Sequence, residues 1–276
     1  MDEPARQLLT RIEQDILANR FILPSLPEVA LRVRELSARE DVVLSQLELE
    51  INKDAAIAAR ILKVANSSAM QRGKPLHSIK QAIARLGLGL VRSLVTQLAI
   101  LQTMQGCEDK QRLHDFVDNG LKISALCHSL CQQLPHLDKE QAALAGLLHD
   151  IGKLPMRRFL RRYSINENTE QTLQLEHQLH PQVGAFMLQH WQLPDELVQV
   201  SREHEEILRD HTGPADYTDV VICANLLHYG TEQGRYAAYA GKDIPAMQRC
   251  QLDQVSAQLD KHLERRMELS LALVTT

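Results

Sequence analysis

The spacing of apolar residues constrains this chain most, because they recur three and four positions apart along almost its whole length. Leu8, Leu9, Ile12 and Ile16 follow this spacing, and so does "IAARILKVA" at 57–65. The period places apolar side chains on one face of an α-helix, and no stretch sustains the period of two typical of strands. The abundant Ala, Leu, Gln, Glu and Arg also favour helices. The sequence therefore predicts an all-α protein of about a dozen helices.

A polar, turn-prone stretch, "MQGCEDKQR" at 104–112, follows an apolar helical segment and marks a boundary. We predict an N-terminal helical half, residues 1–106, and a C-terminal helical half, residues 107–276, with extra helices after about residue 240. Because no low-complexity linker separates the halves, we expect them to pack against each other.

Charge and hydropathy exclude several classes of protein. The formal net charge is -4, so no overall positive field would attract nucleic acid, and nucleic acid is not an expected partner. The first residues, "MDEPARQLLT", lack the apolar core of a signal peptide, and no run of about 18 apolar residues occurs. Five cysteines without a Cys-x-x-Cys pair are typical of a reducing compartment. We therefore expect a cytoplasmic protein without a membrane span.

The segment "AGLLHDIGKLPM" places His149 and Asp150 side by side at the end of an apolar helix. Imidazole and carboxylate groups are good ligands for manganese, iron or zinc, and a bound ion can make hydroxide from water near neutral pH. A catalytic ion usually needs at least three protein ligands, so other helices would have to supply the rest.

The motif resembles the HD superfamily of metal-dependent phosphohydrolases, whose signature is an upstream His, the His-Asp pair and a final Asp. Spacing places Asn119 at the position of the upstream His and Asn225 at that of the final Asp. The resemblance implies that His149 and Asp150 are a vestigial pair, and neutral amides would hold a metal poorly. We expect no cofactor or, failing that, a weakly bound divalent metal (Mn, Fe or Zn).

Three other histidines are alternative ligands. His180 and His204 lie in segments that resemble those carrying extra histidines in two-metal relatives, and His228 lies one turn beyond Asn225. The competing interpretation is structural: His180 would cap a helix that begins at Pro181, and His204 would be a polar residue at a helix end.

The N-terminal half contains "LPSLPEVALRVREL", "INKDAAIAARILKVANSSAM" and "HSIKQAIARLGLGLVRSLV". In this order the segments are similar to the HDOD family, the HD-related output domain of bacterial signalling proteins, over roughly residues 20 to 228. The resemblance implies a non-catalytic regulatory module that binds a protein partner and takes part in a cyclic-dinucleotide circuit, with a nucleotide as a candidate ligand. The alternative is a metal-dependent phosphohydrolase or phosphodiesterase with a rearranged metal site.

A run of basic residues, "KLPMRRFLRRY", follows the His-Asp pair. At helical spacing it forms a positive patch, which either is a solvated face balanced by nearby carboxylates or binds phosphate groups or an acidic partner. We call these residues the basic patch: Lys153, Arg157, Arg158, Arg161 and Arg162.

Overall fold

The helices that the apolar spacing predicts are present. The computed structural model describes residues 3–18, 20, 26–39, 41–67, 70, 74–104, 110–163, 165 and 170–252. These residues form thirteen α-helices and two short 3-10 helices, with no β-strand among them, so the all-α prediction is confirmed. The α-helices are α1 (Glu3–Leu17), α2 (Glu28–Ser37), α3 (Leu44–Asn52), α4 (Ala55–Ala65), α5 (Ile79–Leu86), α6 (Leu88–Met104), α7 (Lys110–Leu130), α8 (Lys139–Leu148), α9 (Lys153–Arg162), α10 (Glu170–His190), α11 (Asp195–Glu203), α12 (Tyr217–Tyr229) and α13 (Pro245–Arg249).

Polar side chains begin several of these helices. Asp54, Ser78 and Asp138 each accept hydrogen bonds from amides in the first turn that follows them, which satisfies donors that lack a partner inside the helix. Gly87 separates α5 from α6 with a φ of 85°, a backbone conformation that side chains with a Cβ rarely adopt.

Helices α2 to α6 pack mainly against one another, and α7 to α13 do likewise, while α6 contacts α8 across the two groups. Helix α1 instead packs against α10. At the end of α9, Arg162 Nε and Tyr163 Oη donate hydrogen bonds to Asp15 of α1, at 2.7 Å and 2.8 Å. The boundary at residue 106 stays a prediction, and any helix after residue 252 lies outside the described residues.

Helix α8 is surrounded by α6, α7, α11 and α12 and is buried along nearly its whole length. It approaches α7 closely at Gly146, where an added Cβ would lie only 2.8 Å from Cys127 Sγ and 2.9 Å from the Ile123 carbonyl oxygen. Close packing on all sides fixes the position of the His-Asp pair at the end of α8.

The predicted helix start at Pro181 is wrong, because α10 continues through this residue. A proline inside a helix costs one backbone hydrogen bond, yet Pro181 is buried with Leu179 and Val183 beside it. Tertiary packing thus outweighs the local preference for a helix end.

Among the described helices, none is by itself long and apolar enough to cross a membrane. Helices α5 and α6 meet that criterion only when joined across a bend of 118°.

Candidate metal centre

Four side chains from three parts of the fold converge. Asp150 follows α8, His180 lies within α10, and His204 and Glu205 follow α11; one donor atom from each lies within 4.8 Å of the others. Asp150 Oδ1 is 3.1 Å from His180 Nε2 and 3.3 Å from His204 Nε2. Glu205 Oε1 is 3.6 Å and 3.4 Å from the same nitrogens. We call these residues the four-residue cluster.

Helix carbonyl groups set the orientation of the histidine rings. The Nδ1 atoms of His149, His180 and His204 contact backbone carbonyl oxygens three or four residues earlier, at 2.8, 3.0 and 2.9 Å. A carbonyl can only accept, so each Nδ1 carries the proton and each Nε2 keeps a lone pair. Histidines that ligate metals are usually held this way.

Burial keeps the imidazoles of His149 and His180 neutral, because it lowers the pKa of both to about 3. His204 is fully buried as well. Burial alone would raise the pKa of Asp150, but the neighbouring charge of Lys153 helps to hold it well below its ordinary value. The cluster therefore brings imidazole nitrogens and carboxylate oxygens together.

Two acceptors at the site, His149 Nε2 and Asp150 Oδ1, are buried without a hydrogen-bond partner among the described residues. Buried acceptors at such short separations repel one another unless a cation lies between them. Two imidazoles and two carboxylates suit manganese, iron or zinc. A divalent metal therefore fits the four-residue cluster.

Two basic side chains contact the carboxylates of the cluster. Lys153 pairs with Asp150 Oδ2, and Arg235 pairs with Glu205 Oε1. Arg235 belongs to a 3-10 helix, Gly234–Tyr239, and its guanidinium carbon lies 5.2 Å from the centre of the Tyr236 ring. The two cations balance the two carboxylates of the metal-free cluster, so a bound divalent ion would leave a net charge of about +2.

The two residues of the His-Asp pair take different positions at this site. Asp150 belongs to the four-residue cluster, whereas His149 lies beside it, with its ring centre 5.0 Å from that of His204 and Nε2 3.4 Å from Asp150 Oδ2. His149 is thus positioned next to the candidate metal position, within reach of the same carboxylate.

The two asparagines at the implied ligand positions lie outside the four-residue cluster. Asn119 and Asp150 line one cavity of ≈ 200 Å³. Asn225 is fully buried, and neither side-chain atom has a hydrogen-bond partner in the described structure. His228, the third alternative ligand, lies with its ring centre 4.5 Å from that of Tyr229 and is not part of the cluster either.

Two residues of the basic patch form ion pairs. Lys153 pairs with Asp150, and Arg162 pairs with Asp15. Arg158 and Arg161 are exposed on α9, while the Arg157 side chain lies outside the described structure. The patch stays a prediction, centred on Arg158 and Arg161.

Glu205 and Arg235 are site residues that the sequence analysis did not predict. Glu205 follows the end of α11 and Arg235 lies on a separate 3-10 helix, so neither has a helical period linking it to Asp150. The adjacency of Glu205 to His204 was the only local signal, because a second ligand often neighbours the first.

A second group of similar composition lies at the start of α12 and consists of His211, Asp216 and Asp219. Arginines neutralise it: Arg209 contacts Asp216 at 2.9 Å and Asp219 at 3.0 Å, and Arg249 lies 3.6 Å from Asp219. Asp216 and Asp219 also form a reciprocal capping box. Its carboxylates are therefore already satisfied by donors, and we call it the α12 group.

Comparison with solved structures places the chain among HD-like folds. A protein from Shewanella amazonensis SB2B named "Putative metal-dependent phosphohydrolase" has a TM-score of 0.75 and 26% identity, covering 98% of this chain and 99% of that one. An HDOD domain protein of unknown function from Geobacter sulfurreducens has a TM-score of 0.68 and 19% identity, with 99% of each chain covered. A Marinobacter aquaeolei VT8 protein named "Putative signal transduction protein" has a TM-score of 0.65 and 23% identity, covering 92% of this chain and 60% of that one.

An uncharacterised protein of Treponema pallidum (strain Nichols) is 24% identical over 200 residues, which cover 67% of this chain but only 38% of that protein. The chain thus matches well under half the length of this relative. The family model of the HDOD domain matches residues 23–207. The chain belongs to the HDOD domain family, and its fold is HD-like.

Proposed function

We propose that this protein is a regulatory signalling module whose four-residue cluster binds a divalent metal ion. The observation that carries the proposal is the convergence of His180 Nε2, His204 Nε2 and Asp150 Oδ1 within 3.3 Å of one another. Such a group of acceptors is stabilised by a cation, and its nitrogen and oxygen donors suit manganese, iron or zinc.

The proposed output is binding of a protein partner within a bacterial signalling circuit, including one that uses a cyclic dinucleotide. Membership of the HDOD family and the likeness to the Marinobacter protein support the signalling role. The exposed Arg158 and Arg161 on α9 are the proposed contact surface, because α9 directly follows the metal-ligand residue Asp150. Capture experiments with the Arg158→Glu, Arg161→Glu double variant test this surface, and unchanged partner recovery would remove it.

The second candidate is a metal-dependent phosphohydrolase, and the cavity of ≈ 200 Å³ that reaches Asp150 supports it. A bound ion would supply a polarised water and a positive field for phosphate oxygens. Lys153 lines that cavity and Arg235 contacts the opposite side of the cluster, so both can neutralise an anionic substrate. The likeness to the Shewanella protein agrees with this candidate.

Elemental analysis and a hydrolysis assay separate the two candidates. We expect protein purified without chelator to carry manganese, iron or zinc, and His204→Ala to lose it. Hydrolysis of bis(4-nitrophenyl) phosphate that depends on added Mn²⁺ and disappears in His204→Ala would favour the enzyme. Metal binding without turnover would favour the regulatory module, while wild-type protein that binds no metal would contradict both.

A further inference from the structure

A second cavity, of ≈ 220 Å³, lies between the two groups of helices, where α2 and α6 meet α8 and α11. Two arginines, Arg34 from α2 and Arg92 from α6, line it together with three leucines, Leu144, Leu193 and Leu197. The cavity is therefore lined by two arginines, one glutamate (Glu140) and an apolar wall.

Arg34 has an unused donor in this cavity. Its Nη2 donates to the carbonyl oxygen of Gln192, whereas Nη1 is buried and has no hydrogen-bond partner in the described part of the chain. Burial lowers the pKa of Arg34 from its ordinary value, and no salt bridge to a described carboxylate compensates its charge. A buried guanidinium donor without an acceptor is costly, and an anion would satisfy it.

Arg92 is also weakly engaged. Its Nη2 lies 3.5 Å from Asp138 Oδ2, longer than a charge-assisted hydrogen bond of about 2.7–2.9 Å. Glu140 lines the same cavity. Its Oε1 lies 3.2 Å from His128 Nε2, so the histidine contacts this carboxylate.

The polar groups that line the cavity and can donate to an anion are the two guanidinium groups and the side-chain amide of Gln141. The hydroxyl groups of Ser93 and Thr96 lie on the wall, but they donate to the backbone carbonyls of Glu140 and Arg92. We infer that this cavity binds a small organic anion, with its carboxylate or phosphate group between Arg34 and Arg92 and its apolar body against the leucines.

The cavity lies at the starts of the helices that carry the four-residue cluster. Helix α8 leads from Leu144 to Asp150, and α11 leads from Leu197 to His204. Arg34 also holds the carbonyl of Gln192, just before α11. An anion that restrains both helix starts should favour one arrangement of the metal ligands and tighten metal binding several-fold. This coupling rests on the proposed function, whereas anion binding does not require metal.

The single tryptophan of the chain, Trp191, precedes Gln192 and makes its fluorescence a local reporter. Metal-free protein is titrated with inorganic phosphate, butyl phosphate and pentanoate at constant ionic strength. We expect saturable binding, tighter for butyl phosphate or pentanoate than for inorganic phosphate; whichever of the two binds better identifies the head group. Arg34→Gln should weaken binding of the probe roughly tenfold or more. Arg32 is exposed on the same helix, and Arg32→Gln should leave binding of the probe unchanged.

Arg92→Gln provides a second test that leaves the contact with Gln192 intact, should Arg34→Gln lower the melting temperature. Wild-type protein that binds none of the three probes, or binding equal in the wild type and both cavity variants, would overturn the anion site. Mn²⁺ titrations with and without the tightest probe then test the coupling, and equal Mn²⁺ affinities would overturn that part alone.

Discussion

Among the described residues, histidine and carboxylate side chains converge at two places, the four-residue cluster and the α12 group. In the α12 group, Arg209 and Arg249 approach the carboxylates with guanidinium donors, and His211 Nε2 lies 2.8 Å from Asp219 Oδ2. In the four-residue cluster, two imidazole Nε2 atoms face Asp150 Oδ1, while Lys153 and Arg235 pair with Asp150 Oδ2 and Glu205 Oε1.

Residue types and proximity therefore do not by themselves define a metal site. The deciding property is whether acceptors are already satisfied by protein donors. The α12 group stabilises the start of a helix, whereas in the four-residue cluster a proton or a metal ion would satisfy the Asp150 Oδ1 and imidazole Nε2 atoms that face one another.

The largest expected effect is loss of stability in Asp219→Ala. This carboxylate is fully buried and contacts Arg209, Arg249 and His211, so its removal takes one acceptor from each of these donors. We expect the free energy of unfolding to fall by about 3–5 kcal/mol, measured by urea denaturation of metal-free protein. A loss below about 1 kcal/mol would show that the α12 group does little for stability.

A smaller effect, taken per pH unit, should appear when the pH falls. The pKa of His149 and His180 is lowered to about 3 in the folded protein, so below pH 6.5 the unfolded chain binds protons that the folded chain does not. The contribution of these two histidines to the free energy of unfolding is therefore fully present above about pH 6.5. It declines toward pH 3, by up to about 1.4 kcal/mol per pH unit for each histidine. His149→Gln should reduce this slope; an equal slope in the variant would contradict the assignment.

Removing the cation beside Glu205 should strengthen metal binding. Arg235 competes with a metal for this carboxylate, so Arg235→Gln should raise Mn²⁺ affinity about tenfold, or about 1.4 kcal/mol. The matched control is Arg249→Gln, which removes an arginine from the α12 group and should leave Mn²⁺ affinity unchanged. Weaker Mn²⁺ binding by Arg235→Gln would mean that the arginine organises the site.

The smallest expected effect is on the metal-free stability of Asp150→Asn. The new amide can donate to the imidazole lone pairs, which offsets loss of the ion pair with Lys153. The free energy of unfolding should change by no more than about 1 kcal/mol, in contrast to Asp219→Ala. A loss of about 3 kcal/mol or more would show that the carboxylate is needed for folding.

The helices could be predicted from sequence because their apolar period and their caps, such as Ser78 and Asp138, are local properties. Pro181 could not be interpreted locally, since burial of α10 overrides the preference of proline for a first turn. At the site, His180 and His204 could be named as candidates by residue type. Arg235 could not, because only tertiary packing brings it to Glu205.

Titration calorimetry with Mn²⁺ tests the central claim most directly, using wild-type protein, His180→Ala from the four-residue cluster and His211→Ala from the α12 group. We expect one Mn²⁺ site per chain in the wild type. The Mn²⁺ affinity should fall on the order of 100-fold or more in His180→Ala and should be unchanged in His211→Ala. No binding by the wild type, or equal affinity in wild type and His180→Ala, would contradict the central claim.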